Sequence, residues 1–221
     1  MYVVYRHSYA KPRKAYMLKD ISKIIGRTYT DFLLYVAKHR RAVVVQFDSV
    51  IGMQSDEAAI LTVTWKEYDF QLGLLIRKGD PSSALSAIRG LMARFTDGEA
   101  RELLGCCLCD NGTEFLTFYC IEERGGEKLC RTFYAGPYRA TDKAECERCH
   151  EYIRYFMPKG KSMDDLTQDG VDEMMSNIDS AVRPSKGDRT PYELMERRFG
   201  KEIMDKMPAR KIGKRKVVLK K

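Results

Sequence analysis

Apolar positions along the chain change their period several times, and each change marks an element. Residues 43–51 (VVVQFDSVI) are dense in β-branched side chains and read as a strand. Residues 60–64 and 70–76 are two further strand candidates, joined by short polar connections that suit antiparallel pairing. Asp80-Pro81-Ser82 then opens a helix whose apolar positions, Ala84, Leu85, Ile88, Leu91, Met92 and Phe95, recur about every 3.6 residues. A shorter helix near 98–104 leads into the apolar run 105–109, which stops at the turn signal Asp110-Asn111-Gly112. Residues 128–134 form another strand candidate, and 142–156 has a helical pattern ending before Pro158-Lys159-Gly160. A further helix is expected to open at Ser162, with Asp165 three residues on, and to carry Val171, Met174, Met175, Ile178 and Val182 on one face. Thr190-Pro191-Tyr192-Glu193 combines an N-cap, a first-turn proline and a capping-box glutamate, which predicts a short helix through Arg198.

Three strands followed by strand–helix units predict an α/β fold, a mixed sheet with an antiparallel meander flanked by helices. The ribonuclease H-like fold has this order of elements. The chain divides accordingly into a basic N-terminal linker (1–41), a catalytic-size core (42–182), a C-terminal helical segment (183–208) and a basic tail (209–221), expected to be disordered. A short helical stretch is suggested around Lys19–Ile25 within the linker. No apolar run approaches the roughly 20 residues needed to span a bilayer. The N-terminus MYVVYRHSYAKPRKAY has neither the apolar stretch nor the cleavage site of a secretory signal, so a cytoplasmic protein with no membrane partner is expected.

Charge sharpens the picture once it is divided. Residues 1–41 carry +8 and the tail 209–221 carries +7, which leaves −7 on 42–208 for a whole-chain net of +8. Basic arms around a mildly acidic body suit a polyanion such as DNA, each neutralised phosphate adding about 0.9 to the salt slope of binding. Arg210, Lys211, Lys214, Arg215 and Lys216 are the tail's candidate DNA contacts; charged chain ends that are merely solvated are the alternative.

The seven cysteines, at 106, 107, 109, 120, 130, 146 and 149, are odd in number and read as free thiols serving mainly as small buried hydrophobes. Cys146-Glu147-Arg148-Cys149-His150 matches a haem-attachment string, but that chemistry normally follows export. Positions 146, 149, 153 and 156 also form one helical stripe of the kind that faces a core. Cys106, Cys107 and Cys109 with Cys146 and Cys149 suggest a zinc site, although alternation along a buried strand accounts for the first cluster more simply.

Three acids attract attention on chemical grounds. Asp48 interrupts an apolar strand, where a carboxylate is costly without a partner. Asp110 ends a later apolar strand; if the two strands are neighbours, their carboxylates stand about 5 Å apart, a scale that suits two bridged divalent cations. Glu147, on the following helix, is the third candidate. Each acid also has an ordinary reading: a turn for Asp110, a buried ion pair for Asp48, an exposed helix position for Glu147. Composition and periodicity leave these alternatives open.

The local strings go further. Phe47-Asp48-Ser49-Val50-Ile51-Gly52 resembles the first acidic motif of the IS-thirty group of bacterial insertion-sequence transposases, and Asp110-Asn111-Gly112-Thr113-Glu114-Phe115 matches that group's second motif in full. Pro137-Tyr138 followed by Lys143-Ala144-Glu145-Cys146-Glu147 is similar to its third motif, and 36 residues separate Asp110 from Glu147, an interval typical of DDE enzymes. His150-Glu151-Tyr152-Ile153-Arg154-Tyr155, Pro158-Lys159-Gly160-Lys161 and Thr190-Pro191-Tyr192-Glu193-Leu194 continue the resemblance, which spans about residues 20–200.

The resemblance implies a ribonuclease H-like integrase/transposase core with Asp48, Asp110 and Glu147 as catalytic, metal-binding triad, holding two Mg²⁺ or Mn²⁺ ions. It implies supporting roles for Asn111, Gly112, Glu114, His150 and Glu151, the last as reserve third ligand. Lys143, Arg148, Lys159 and Lys161 are the implied phosphate contacts. Its implied work is metal-dependent cleavage and strand transfer on transposon-end and target DNA, by a homo-oligomer assembled on DNA in the bacterial nucleoid. The sequence departs from the group at Gln46, Gly136 and Ala144, where Glu, Asp and Gly are usual, and the group's N-terminal helix-turn-helix region is not recognised. A decayed or truncated fragment that binds DNA or dimerises is therefore the alternative expectation.

Overall fold

The structure is a computed structural model describing residues 25–136 and 144–219, with the backbone alone for 144–148. Its frame is one five-stranded sheet. Strands β1 (Val44–Ile51), β2 (Ala58–Trp65) and β3 (Phe70–Arg77) form the antiparallel meander; β4 (Cys106–Cys109) and β7 (Arg131–Tyr134) add in parallel, giving the order β3-β2-β1-β4-β7. A small hairpin, β5 (Glu123–Arg124) with β6 (Glu127–Lys128), stands outside this sheet. The fold class is that expected from the order of elements.

Strand β1 has neighbours on both sides and helices on both faces, so both sets of alternating residues need to be largely apolar. Val45 and Phe47, with Leu61, Val63, Leu72, Cys107 and Cys109, face a core closed by α2 (Pro81–Met92), α3 (Asp97–Leu104), α6 (Pro191–Phe199) and α7 (Lys201–Asp205). Val50 and Ile60 face the opposite layer, where α4 (Ala144–Phe156) and α5 (Gln168–Ser180) contribute Ile153, Met157, Val171, Met174, Met175 and Ile178. Helix α5 can approach β3 closely because Gly73 has no side chain: a Cβ there would lie 2.6 Å from Val171 Cγ1 and 2.7 Å from Met175 Cε. Helix starts follow the capping chemistry, with Asp80 accepting from Ser82 N and Ser83 N, and reciprocal boxes at Thr96/Glu99 and Thr190/Glu193.

The expectations for the N-terminal linker, for helix α5 and for the tail are corrected. The stretch 11–41 was expected to be a linker, but α1 (Tyr29–Lys38) lies within it, started by a Thr28/Asp31 capping box. Phe32 packs edge-on against Phe133 and covers Cys106 and Leu108. The other suggested helical stretch, 19–25, lies almost wholly outside the described residues, and Ile25 itself is in a turn. Helix α5 opens at Thr167, whose hydroxyl accepts from Gly170 N, not at Ser162; it ends at Ser180, leaving Val182 39% exposed and off the apolar face. Ser162 instead donates to Asp56 Oδ1 at 2.9 Å.

The tail also departs from the disordered course expected of it. Arg210 N and Ile212 N donate to Ser176 Oγ and Ser180 Oγ at 2.9 and 2.8 Å, and Val218 N donates to Asn177 Oδ1 at 2.8 Å. Residues 210–218 therefore lie as a strap along α5. Lys211 and Lys214 reach Glu196 and Glu193 of α6 at 2.8 and 3.8 Å. Among the described residues, no helix is long and apolar enough to cross a membrane.

Candidate active site

Parallel pairing of β1 with β4 brings two of the three acids together. The register runs Val44↔Cys106 to Phe47↔Cys109, and Asp110 N donates to Phe47 O at 3.2 Å, which extends the ladder one residue past β4. Even-numbered residues of both strands share a face, because Val44, Cys106 and Leu108 all pack under α1. Asp48 and Asp110 therefore occupy neighbouring positions on that face, at the carboxyl ends of adjacent parallel strands about 5 Å apart. Both are partly exposed, so solvent and a ligand can reach them. The Asp48 Oδ1 atom accepts from Ser49 N at 2.8 Å. Strand ends of this kind are where open α/β sheets place ligands.

The turn after Asp110 is built to hold that end in place. Asn111 Nδ2 donates to Ala135 O just past β7, clamping the turn to the next strand. Glu114 is buried and receives the Ser49 hydroxyl, tying the turn back to β1 beside Asp48. Gly112 is required by the same contact: a Cβ there would lie 2.6 Å from Glu114 Oε2. Phe115 is fully buried and packs edge-on with Phe118, which in turn packs edge-on with Phe47. The second motif thus grips the first from the opposite face of the sheet, and Glu114 has a structural part distinct from that of Asp110.

Helix α4 crosses the face that bears the two acids. Gln71 Nε2 donates to Cys149 O at 3.1 Å, His150 Nε2 lies 2.9 Å from Thr62 Oγ1, and Arg154 Nη2 donates to Ile51 O at 3.2 Å. Thr62 is the residue opposite Asp48 in the β1–β2 register. Position 147 is one helical turn before His150, in the first turn of α4, where the backbone alone is described. Glu151 is exposed. Among the described residues, no three His, Cys, Asp or Glu side chains converge as a metal site; the Glu147 side chain is not one of them.

The basic candidates separate into two groups. Lys159 and Lys161 are exposed on the loop after α4, in which Gly160 takes a positive φ of 85°. Asp56 fixes this loop beside the end of β1 by accepting from Met163 N and Met53 N, at 2.9 and 2.8 Å. The clamp also explains Gly52, where a Cβ would meet Lys161 O at 2.5 Å. The tail bases Arg210 to Lys216 lie instead beside α5, whose Gln168 binds Leu75 N and Gly73 O of β3, two strands away from β1. Lys143 lies outside the described residues, as does the Arg148 side chain.

The cysteine clusters have a different arrangement from a shared site. Cys106 faces the α1 layer while Cys107 and Cys109 face the opposite core, so strand alternation parts them. Burial pushes the Cys106 thiol up to about 12, and a hydrogen bond with Cys130, then burial, holds Cys107 well above the ordinary thiol value. Without a metal beside them such thiols stay protonated at neutral pH. Cys149 and Ile153 are buried along the α4 stripe as the helical pattern expects. Sequence reasoning did not single out Thr62 or Asp56, and Ser49 entered only within the string of the first motif.

No family profile matches the chain. The transposase for insertion sequence element IS4351 from Bacteroides fragilis is 24% identical over 149 residues, which are 67% of this chain and 43% of that protein. The chain thus spans less than half the length of this relative. The catalytic core domain of BIV integrase superposes with a TM-score of 0.46 at 17% identity, over 73% of this chain and 99% of that one. A chain of the simian T-cell lymphotropic virus intasome, solved in complex with PP2A regulatory subunit B56 gamma, gives a TM-score of 0.50 at 13% identity, over 69% of this chain and 54% of that one. The chain has a ribonuclease H-like, transposase/integrase-like core fold.

Proposed function

We propose that this chain is the catalytic core of a DDE transposase of the IS-thirty type, cutting and rejoining DNA with Asp48, Asp110 and Glu147. The observation that carries the reading is the pair Asp48 and Asp110, side by side on one face at the carboxyl ends of adjacent parallel strands. The donor set fits a hard divalent cation: carboxylate oxygens, partly exposed, with the cysteine sulfurs turned elsewhere or held as thiols. Asp48 and Asp110 would hold Mg²⁺ or Mn²⁺ jointly, with Glu147 arriving from the first turn of α4. A pair of such ions, when bound, supplies a nucleophilic oxygen at neutral pH and charge stabilisation for the leaving oxygen of a phosphodiester.

The protein's own residues position the substrate. Lys159 and Lys161, on a loop fixed to the end of β1, present ammonium groups to backbone phosphates, with Lys143 and Arg148 assigned the same part on sequence grounds. Asn111, Gly112 and Glu114 hold the Asp110 turn rigid, so the carboxylates need not be reorganised when DNA arrives. Arg210, Arg215 and Lys216 would add a peripheral phosphate track, whereas Lys211 and Lys214 are engaged with α6. Assembly as a homo-oligomer on transposon ends completes the reading, since paired ends must be brought together.

Nicking and strand transfer on labelled duplexes ending in the element's terminal repeat test it. Activity should require Mg²⁺ or Mn²⁺ and should vanish in Asp48→Asn, Asp110→Asn and Glu147→Gln while their far-UV spectra and melting curves stay near wild type. Salt-sensitive DNA binding without any cleavage, unchanged by these substitutions, would instead identify a non-catalytic DNA-binding fragment.

A further inference from the structure

We infer that Thr62 and His150 form a hydrogen-bonded link that sets how far helix α4 stands from the strand bearing Asp48, and thereby positions the third acid against the first. This inference rests on the reading of the site as metal-dependent. Thr62 is fully buried in β2, directly opposite Asp48. Its hydroxyl donates to Asp48 O at 3.2 Å and lies 2.9 Å from His150 Nε2. The one hydroxyl therefore touches both the backbone of β1 and the ring of His150. The chain of contacts runs from the backbone of β1 through β2 to the helix turn that follows position 147.

The other described polar ties between α4 and the sheet reach different places. Gln71 binds Cys149 O from β3, and Arg154 binds Ile51 O two turns beyond position 147. The Thr62–His150 contact joins α4 to the Asp48 position itself. Two ions about 3.5–4 Å apart need their ligands placed to within roughly 0.5 Å. Groups that orient metal ligands without touching the metal typically change affinity or activity about 10- to 100-fold when removed. Thr62 and His150 are positioning residues in this sense.

Thr62→Val, Thr62→Ser and His150→Ala, compared by Mn²⁺ calorimetry and by steady-state nicking, test the link. Thr62→Val keeps the branched shape and removes the hydroxyl; it should weaken Mn²⁺ binding and lower kcat about tenfold or more, with KM for DNA unchanged. Thr62→Ser restores the hydroxyl and should return within about threefold of wild type. His150→Ala, at a partly exposed side chain, should match Thr62→Val, and the double variant should lose no more than either alone. If Thr62→Val fails to fold, His150→Ala against His150→Gln, which keeps a donor, carries the same comparison. Wild-type Mn²⁺ affinity in Thr62→Val, or equal losses in the Ser and Val variants, overturns the link. A wild-type protein that takes up no Mn²⁺ overturns the functional reading as well, so the two failures look different.

Discussion

Ser49 and Glu114, which lie in separate motifs, meet through a hydroxyl-to-carboxylate hydrogen bond between strand β1 and the turn after Asp110. The Glu114 side chain is only 8% exposed, so water replaces a lost partner poorly. Thr113 Oγ1, at 3.5 Å from Oε2, is at the limit of a hydrogen bond and offers little compensation. A hydrogen bond to a charged group contributes about 1.5–3 kcal/mol. Ser49→Ala removes few apolar contacts, so nearly the whole effect should come from the orphaned carboxylate. The expected loss is therefore about 1.5–3 kcal/mol, or roughly 3–12 °C in melting temperature for a chain of this length. Glu114→Met, which fills a similar volume without charge, should relieve that burden in the double variant. Urea unfolding of wild type, both single variants and the double variant gives the coupling energy, expected at about 1.5–3 kcal/mol with m unchanged. A coupling below about 0.3 kcal/mol would show that the two side chains do not meet in solution, and the account of how the second motif grips the first would be wrong.

Further outcomes follow from single contacts. Gly73→Ala should destabilise the protein by about 1–3 kcal/mol, because the new methyl overlaps Val171 and Met175; chemical denaturation with no loss would mean that α5 does not pack at this distance. Burial holds the Asp179 carboxyl well above the usual carboxylate range, opposed by the Gln71 N–H and the Arg183 guanidinium. The folded state then binds this proton more tightly than the unfolded chain, so the group weakens folding as pH rises above about 4. Asp179→Asn should accordingly raise the melting temperature at neutral pH, with the gain shrinking as pH falls toward that value; a gain independent of pH, or a loss at neutral pH, contradicts the reasoning. Truncation after Ala209 removes the strap from Ser176, Asn177 and Ser180 and should lower stability by about 1–3 kcal/mol, and a melting curve identical to that of the full chain would show the strap is not docked.

Much of the sheet was legible because its central strands are buried on both faces and read as runs dense in apolar and β-branched residues, as in residues 43–51 and 105–109. What periodicity cannot supply is which strands become neighbours. That β4 inserts beside β1, and that Asp110 N closes onto Phe47 O, joins residues more than sixty positions apart and depends on the whole sheet. Helix α1 was hidden because Leu33 and Leu34 are 51% and 66% exposed, which blurs the apolar stripe, although the Thr28-x-x-Asp31 box was present as a signal. The strap was masked by its own charge. Its mark lay instead on α5, where Ser176, Asn177 and Ser180 are buried polar residues in need of partners. Thr62 gave no warning at all: threonine is common in strands, and its partner His150 is 88 residues away.

Anomalous diffraction from crystals grown with Mn²⁺ addresses the central claim most directly, because it locates the ions without reliance on turnover. The account expects anomalous peaks at the Asp48 and Asp110 carboxylates and beside Glu147, lost in Asp48→Asn. Peaks confined to other acids, or a bare Asp48–Asp110 pair in Mn²⁺ at saturating concentration, would contradict it.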